Sequence, residues 1–145
     1  MPPIRPLNDR FAVAAQIAPA DVPAIAAAGF RAIVNNRPDD EEPGQPSGAA
    51  IRAAAEAAGL AYREAPVTHA GFAPWQLDAM AAALTGVDGP VLAYCRSGTR
   101  SCYLWALAAA REGRDPALLV AQGAQAGYDL SPLRPTLDAL AGGRE

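Results

Sequence analysis

Short apolar runs bounded by turn residues alternate along the chain with longer stretches whose apolar positions recur at helical spacing. After a proline-broken start, Phe11-Ala12-Val13-Ala14 reads as a first strand, and Pro19-Ala20-Asp21-Val22 opens a helix that Gly29 ends. Arg31-Ala32-Ile33-Val34-Asn35 reads as a short buried strand. Asn36 to Gly48, with three prolines around the acids Asp39 to Glu42, reads as a polar surface loop and a candidate lid. Ser47 caps a helix that is apolar at Ile51, Ala54, Ala55 and Ala58 and stops at Gly59. A strand around Leu60 to Ala65, a loop from Pro66 to Pro74, and a helix marked by Trp75, Leu77, Met80, Ala81 and Leu84 follow. Val91-Leu92-Ala93-Tyr94 is then a strand running directly into Cys95, with a helix from Ser101 to Arg111 beyond it. Two short helices, Pro116 to Gln122 and Pro132 to Leu140, complete the pattern.

Strands alternating with helices predict one α/β domain over residues 1–145, with a mostly parallel central sheet flanked by helices. In such folds active groups lie beyond the carboxyl ends of the strands, which is where Cys95 falls. The charge balance of 12 basic and 15 acidic residues, net −3, gives no general attraction to nucleic acid or to an anionic membrane. Every basic residue is arginine, beside many alanines, a compositional habit of the source. No secretory signal or membrane-length apolar run is visible, so the expected location is cytoplasmic. Cys95 and Cys102 both lie where a loop runs into a helix, a poor place for a structural disulfide.

The segment Cys95-Arg96-Ser97-Gly98-Thr99-Arg100 carries the candidate chemistry. A free thiol of pKa ~8.5 is mostly protonated at neutral pH, so a nucleophilic cysteine needs its thiolate stabilised. A helix N-terminus contributes ~0.3–1 kcal/mol, too little for a shift of two units at about 2.7 kcal/mol, so loop amides and Arg100 must add the remainder. Gly98 lets the backbone turn its N–H groups inward as an anion nest, with Ser97 and Thr99 in the same turn, and Ser101 can offer its hydroxyl to the thiolate. Arg100 is the expected oxyanion clamp, and Arg96 the outward residue that attracts anions. The plain alternative is a buried core thiol beside an ordinary surface arginine.

Tyr94-Cys95-Arg96-Ser97-Gly98-Thr99-Arg100-Ser101 resembles the active loop of single-domain rhodanese sulfurtransferases, in which the cysteine carries a persulfide. Asp21 to Glu42, with Tyr62 to Val67 and the cysteine loop, is similar to the beta-lactamase-hydrolase-like, phosphatase-like domain family, of the DUF442 type. That resemblance implies a cysteine-phosphatase fold of the dual-specificity type. Some relatives are fused to a metallo-hydrolase of the persulfide-dioxygenase kind, which implies such a partner and a place in sulfur metabolism.

Cysteine phosphatases place five residues between Cys and Arg and usually a His before the Cys, whereas here four residues intervene and Tyr94 stands first. Their general acid is an Asp on an upstream loop. The corresponding loop, Val67 to Pro74, holds no carboxylate, only His69, and Asp78 follows on the helix. Persulfide transfer needs no such acid. The leading expectation is therefore a sulfurtransferase taking a small anionic sulfur donor through a Cys95 persulfide. The alternatives are a cysteine phosphatase acting on phosphotyrosine-like or small phosphate esters, with His69 or a mobile Asp as acid, and a non-enzymatic anion- or redox-sensing module. Arg37 and Asp40 are candidates for the pocket mouth, Cys102 for a resolving thiol or a core residue, and Trp75, Trp105 and Tyr128 for core or pocket wall. No cluster has metal-ligand composition, and no cofactor is expected.

Overall fold

The computed structural model describes residues 1–142. Five strands, β1 (Arg5–Asn8), β2 (Phe11–Ala14), β3 (Ala32–Asn35), β4 (Ala61–Glu64) and β5 (Val91–Tyr94), form one sheet in the order β1-β2-β5-β3-β4. Only β1 runs antiparallel, against β2. The helices are α1 (Val22–Ala27), α2 (Gly48–Ala57), α3 (Pro74–Thr85), α4 (Thr99–Arg111), α5 (Pro116–Gln125) and α6 (Arg134–Gly142). None of the helices among the described residues is long and apolar enough to cross a membrane.

The three central strands are buried on both faces, which is why they read as continuous apolar runs. Phe11, Val13, Val34, Val91 and Ala93 pack with residues of α3 to α6, among them Met80, Leu104, Leu119 and Leu137. Ala12, Ala14, Ile33, Leu92 and Tyr94 pack with Val22 and Ile25 of α1 and Ile51 and Ala55 of α2. The rings of Phe11 and Trp105 stack with centroids 5.5 Å apart and planes 6° from parallel.

Three expectations are corrected. The proline-broken start is strand β1, and Pro6 is tolerated there because β1 is an edge strand with one side unpaired. The helix after the cysteine begins at Thr99 rather than Ser101, because Gly98 serves as its N-cap and puts Arg100 in the first turn. Trp75, expected in the core or a pocket wall, is 53% exposed near the start of α3.

The parallel sheet brings the ends of β2, β3, β4 and β5 to one edge, where backbone bonds join the chains that leave them. Gln16 N–H donates to the Arg96 carbonyl (3.3 Å), Asn36 N–H to that of Tyr94 (2.8 Å) and Val67 N–H to that of Asn36 (2.9 Å). The loop expected to be wholly superficial is therefore rooted inside the protein: Asn36 and Arg37 are buried.

Candidate active site

Cys95 follows β5 without a spacer and is fully buried. The chain turns at Gly98, whose φ of 93° belongs to the left-handed region open to glycine, and this aims the Gly98 N–H at the Cys95 sulfur across 3.1 Å. A Cβ at position 98 would also lie 2.2 Å from the Tyr128 hydroxyl, so the site excludes a side chain there on two grounds. Cys102 N–H returns to the Gly98 carbonyl (2.9 Å), so the turn is continuous with the first turn of α4. The sulfur thus lies before the amino end of a helix and accepts an amide, two features that favour a thiolate.

Ser101 is buried in that first turn, but its hydroxyl makes no hydrogen bond among the described residues. The expected bond from Ser101 to the sulfur is not made; the Gly98 amide supplies the contact instead. Ser97 and Thr99 bond one another through their hydroxyls at 3.0 Å, and Arg96 is an outward residue with its side chain 67% exposed.

Arg100 is gripped from one side. Its Nη1 and Nη2 donate to the two Glu41 carboxylate oxygens at 2.7 and 2.8 Å, and Nη1 also donates to the Val67 carbonyl at 2.8 Å. A guanidinium has five N–H donors in a planar fork. Those three bonds leave the Nε–H and one Nη2–H, which share an edge and match the two oxygens of a bidentate oxyanion. Hydrogen bonding to Glu41 raises the Arg100 pKa against the opposing effect of burial, and the neighbouring Cys95 adds to the rise.

Glu41 is the hub. It also accepts Arg37 Nε at 2.8 Å, while Arg37 Nη2 reaches Glu42 at 2.6 Å and Nη1 reaches Gln16 at 3.0 Å. Arg37, a candidate for the pocket mouth, lines a hollow beside Pro38, Glu64 and Thr68, while its side chain is 3% exposed and all three of its nitrogens are engaged internally. It anchors the acidic loop. Burial works against its charge, and the bonds to Glu41 and Glu42 outweigh that opposition. Asp40 sits exposed at the tip of the turn with a φ of 63°.

Hydrogen bonding to Arg100, with Arg37 adding to it and burial opposing, pulls the Glu41 pKa down from 4.5 to about 2. A carboxylate held that firmly as an anion cannot give a proton to a leaving group near neutral pH. Asp78 points elsewhere, pairing with Arg111 at 2.8 Å. Arg111 lies at the far end of α4, about 16 Å from Arg100 at 1.5 Å per residue. His69 is exposed on the β4–α3 loop, two residues after the Val67 carbonyl that Arg100 holds. Cys102 is a core thiol, pushed up to about 12 by burial and by the neighbouring Cys95. No group of three His, Cys, Asp or Glu side chains among the described residues is placed to hold a metal ion.

The sequence reading missed the partners of these residues. Gln16, Glu41 and the Val67 carbonyl hold the two arginines, and Tyr128 reaches the active loop from the tail, donating to the Ser97 carbonyl at 3.1 Å. The spacing of Arg37 and Glu41, i to i+4, was the only local signal, and it is a signal for a helix rather than for this loop.

Glu41→Gln is expected to flatten the acid side of the stability profile. The folded-state pKa is depressed, so the contribution of Glu41 is complete above its ordinary value of 4.5 and disappears as pH falls toward about 2. Urea unfolding across that range should show wild type losing more stability than the variant. Equal losses would mean that the Glu41 ion pairs do not form.

Residues 3–112 match the profile of the beta-lactamase hydrolase-like protein, phosphatase-like domain. Beta-lactamase hydrolase-like proteins of Agrobacterium fabrum and Xylella fastidiosa are each 40% identical over 108 residues, 74% of this chain. The chain spans about a quarter of their length, 25% in each case. A crystal structure of a candidate phosphatase from Neisseria meningitidis Z2491 is 33% identical, covers 94% of this chain and 97% of its own, and superposes with a TM-score of 0.81. More distant structures share the fold: Tk-PTP, at 19% identity with 96% of each chain covered and a TM-score of 0.71, and Pseudomonas aeruginosa TpbA bound to pTyr, at 17% identity with 97% and 89% covered and a TM-score of 0.63. The profile match over most of the chain and the similarity to the Neisseria protein along nearly its whole length agree, and the chain belongs to the phosphatase-like domain family of the beta-lactamase hydrolase-like proteins.

Proposed function

We propose that the domain is a cysteine-dependent phosphatase acting on small or aryl phosphate esters, with Cys95 as nucleophile and Arg100 as oxyanion clamp. The observation that carries this reading is the pairing of a sulfur that accepts the Gly98 amide with a guanidinium whose Nε/Nη2 edge is left open by Glu41 and Val67. The phosphatase neighbours support it as well. In the first step the Cys95 thiolate forms a bond to phosphorus as the bond to the leaving oxygen breaks, and the leaving oxygen takes a proton. Water then cleaves the sulfur–phosphorus bond, releasing phosphate and restoring the thiol. Glu41 is tied up as an anion and Asp78 is remote, so proton delivery falls to His69 or to solvent. That favours esters whose leaving group departs readily as an anion, phenolic ones above simple alkyl ones.

One observation favours a second reading. Only four residues separate Cys95 from Arg100, which makes a narrow loop, and a persulfide would need no proton donor. In that reading the Cys95 thiolate attacks the outer sulfur of a small anionic donor such as thiosulfate, the S–S bond breaks with release of sulfite, and the resulting persulfide passes its sulfur to a thiol, with a persulfide-consuming metallo-hydrolase as the fitting partner. A parallel assay separates the two. Phosphate release from an aryl phosphate, with no gain of one sulfur in the intact mass after thiosulfate, is expected. A sulfur adduct on Cys95 with no phosphate release would replace the phosphatase reading by the sulfurtransferase one.

A further inference from the structure

The peptide group between Ser97 and Gly98 is held at both ends. Its N–H donates to the Cys95 sulfur at 3.1 Å, and its carbonyl accepts the Tyr128 hydroxyl at 3.1 Å. One planar group therefore connects the tyrosine to the sulfur, and rotating it to satisfy one partner fixes its aim at the other. We propose that Tyr128 is a positioning residue for Cys95: its hydroxyl orients and polarises the Ser97–Gly98 peptide so that the amide points at the sulfur. The proposal rests on Cys95 being the nucleophile and adds to that reading a group from outside the matched region, residues 3–112.

Tyr128 is itself well placed for this work. Helix α5 ends at Gln125, Gly127 just beyond it reverses the chain with a φ of 95°, and Tyr128 N–H donates back to the Gly123 carbonyl at 2.8 Å. The next residue is held too, since the Tyr103 hydroxyl of α4 donates to the Asp129 carbonyl at 3.2 Å. Close packing locks the turn: a Cβ at Gly123 would meet Leu130 at 2.6 Å. The ring thus arrives at the loop from a fixed support, and its hydroxyl fills the space where a side chain at position 98 would lie. Aligned hydrogen bonds of this kind reinforce one another: a carbonyl that accepts a bond makes its own N–H a stronger donor. The effect of the tyrosine is therefore carried to the sulfur through the peptide group.

The test is an ultraviolet titration of thiolate absorbance, with a Cys95→Ser chain as the blank. The ionisable groups around the sulfur are Arg100, Cys102 and Tyr128, with Arg5 near the tyrosine. Arg100 stays charged, and the Cys102 thiol, pushed up to about 12, stays silent over the useful range. Burial raises the Tyr128 hydroxyl, so it remains a donor through neutral pH. In Tyr128→Phe, which keeps the ring and its packing, the titration midpoint should move up by about 0.5–1 pH unit, a three- to tenfold smaller thiolate fraction below both midpoints. A 3-fluorotyrosine at position 128, a stronger donor while protonated, should move the midpoint down, and this variant carries the test should the phenylalanine chain not fold. A wild-type midpoint well below ~8.5 that is unchanged by either substitution would overturn the role of Tyr128 alone. A wild-type midpoint at ~8.5 would overturn the nucleophile reading, and the positioning role with it.

Discussion

A Cys95→Ser chain is expected to hydrolyse aryl phosphate more slowly than wild type by about 10⁴-fold or more, while still binding inorganic phosphate. The sulfur lies at the start of α4 and accepts the Gly98 amide, the place a nucleophile would occupy. The serine that replaces it has a hydroxyl far harder to ionise, and no base among the described residues is hydrogen-bonded at that position to remove its proton. The anion site does not depend on the sulfur. Arg100 keeps its two bonds to Glu41 and its one to Val67, and the Gly98 turn is set by backbone conformation. Rate and binding should therefore separate. Initial rates alongside calorimetric titration of phosphate make the comparison, and a serine chain that hydrolyses the ester at an undiminished rate would remove Cys95 from the chemistry.

The next largest loss is expected from Arg100→Lys, on the order of 10²–10³-fold in kcat/KM for the same ester. The substitution keeps the charge, so what is lost is geometry. Arg100 spends three donors on Glu41 and Val67 and still presents two more along one flat edge. A lysine ammonium has three donors in all, arranged around one atom. If it satisfies Glu41 and the Val67 carbonyl it has nothing left for a phosphoryl oxygen, and if it turns to the substrate Glu41 loses its main partner. Phosphate affinity should fall together with the rate, because the clamp holds the ground-state anion too. A lysine variant within about threefold of wild type would show that Arg100 serves the loop and not the substrate.

What could be read from the sequence follows the range of the forces involved. The central strands announce themselves because burial on both faces demands unbroken apolar runs, as in Ala32–Asn35 and Val91–Tyr94. The active loop could be placed because strand, Cys95, Gly98 and helix are contiguous. The Ser101 hydroxyl was expected on the sulfur because it is close in sequence, yet the bond goes to the Gly98 amide, a contact decided by the left-handed turn. The partners of Arg37 were hidden for a different reason. As a lone arginine in a polar loop it looked accessible, and only the folded chain shows that Gln16, Glu41 and Glu42 surround it. Strand β1 was hidden by Pro6, whose missing N–H forbids a central strand but not an edge.

The profile match ends at residue 112, and helices α5 and α6 lie beyond it. Leu119, Leu130 and Leu137, all from that tail, are completely buried against the same core as Trp105 and Leu104. A chain trimmed to the matched segment would uncover that core and lose the tyrosine that touches the active loop. Packing therefore ties the chain together through α6, thirty residues past the end of the profile match.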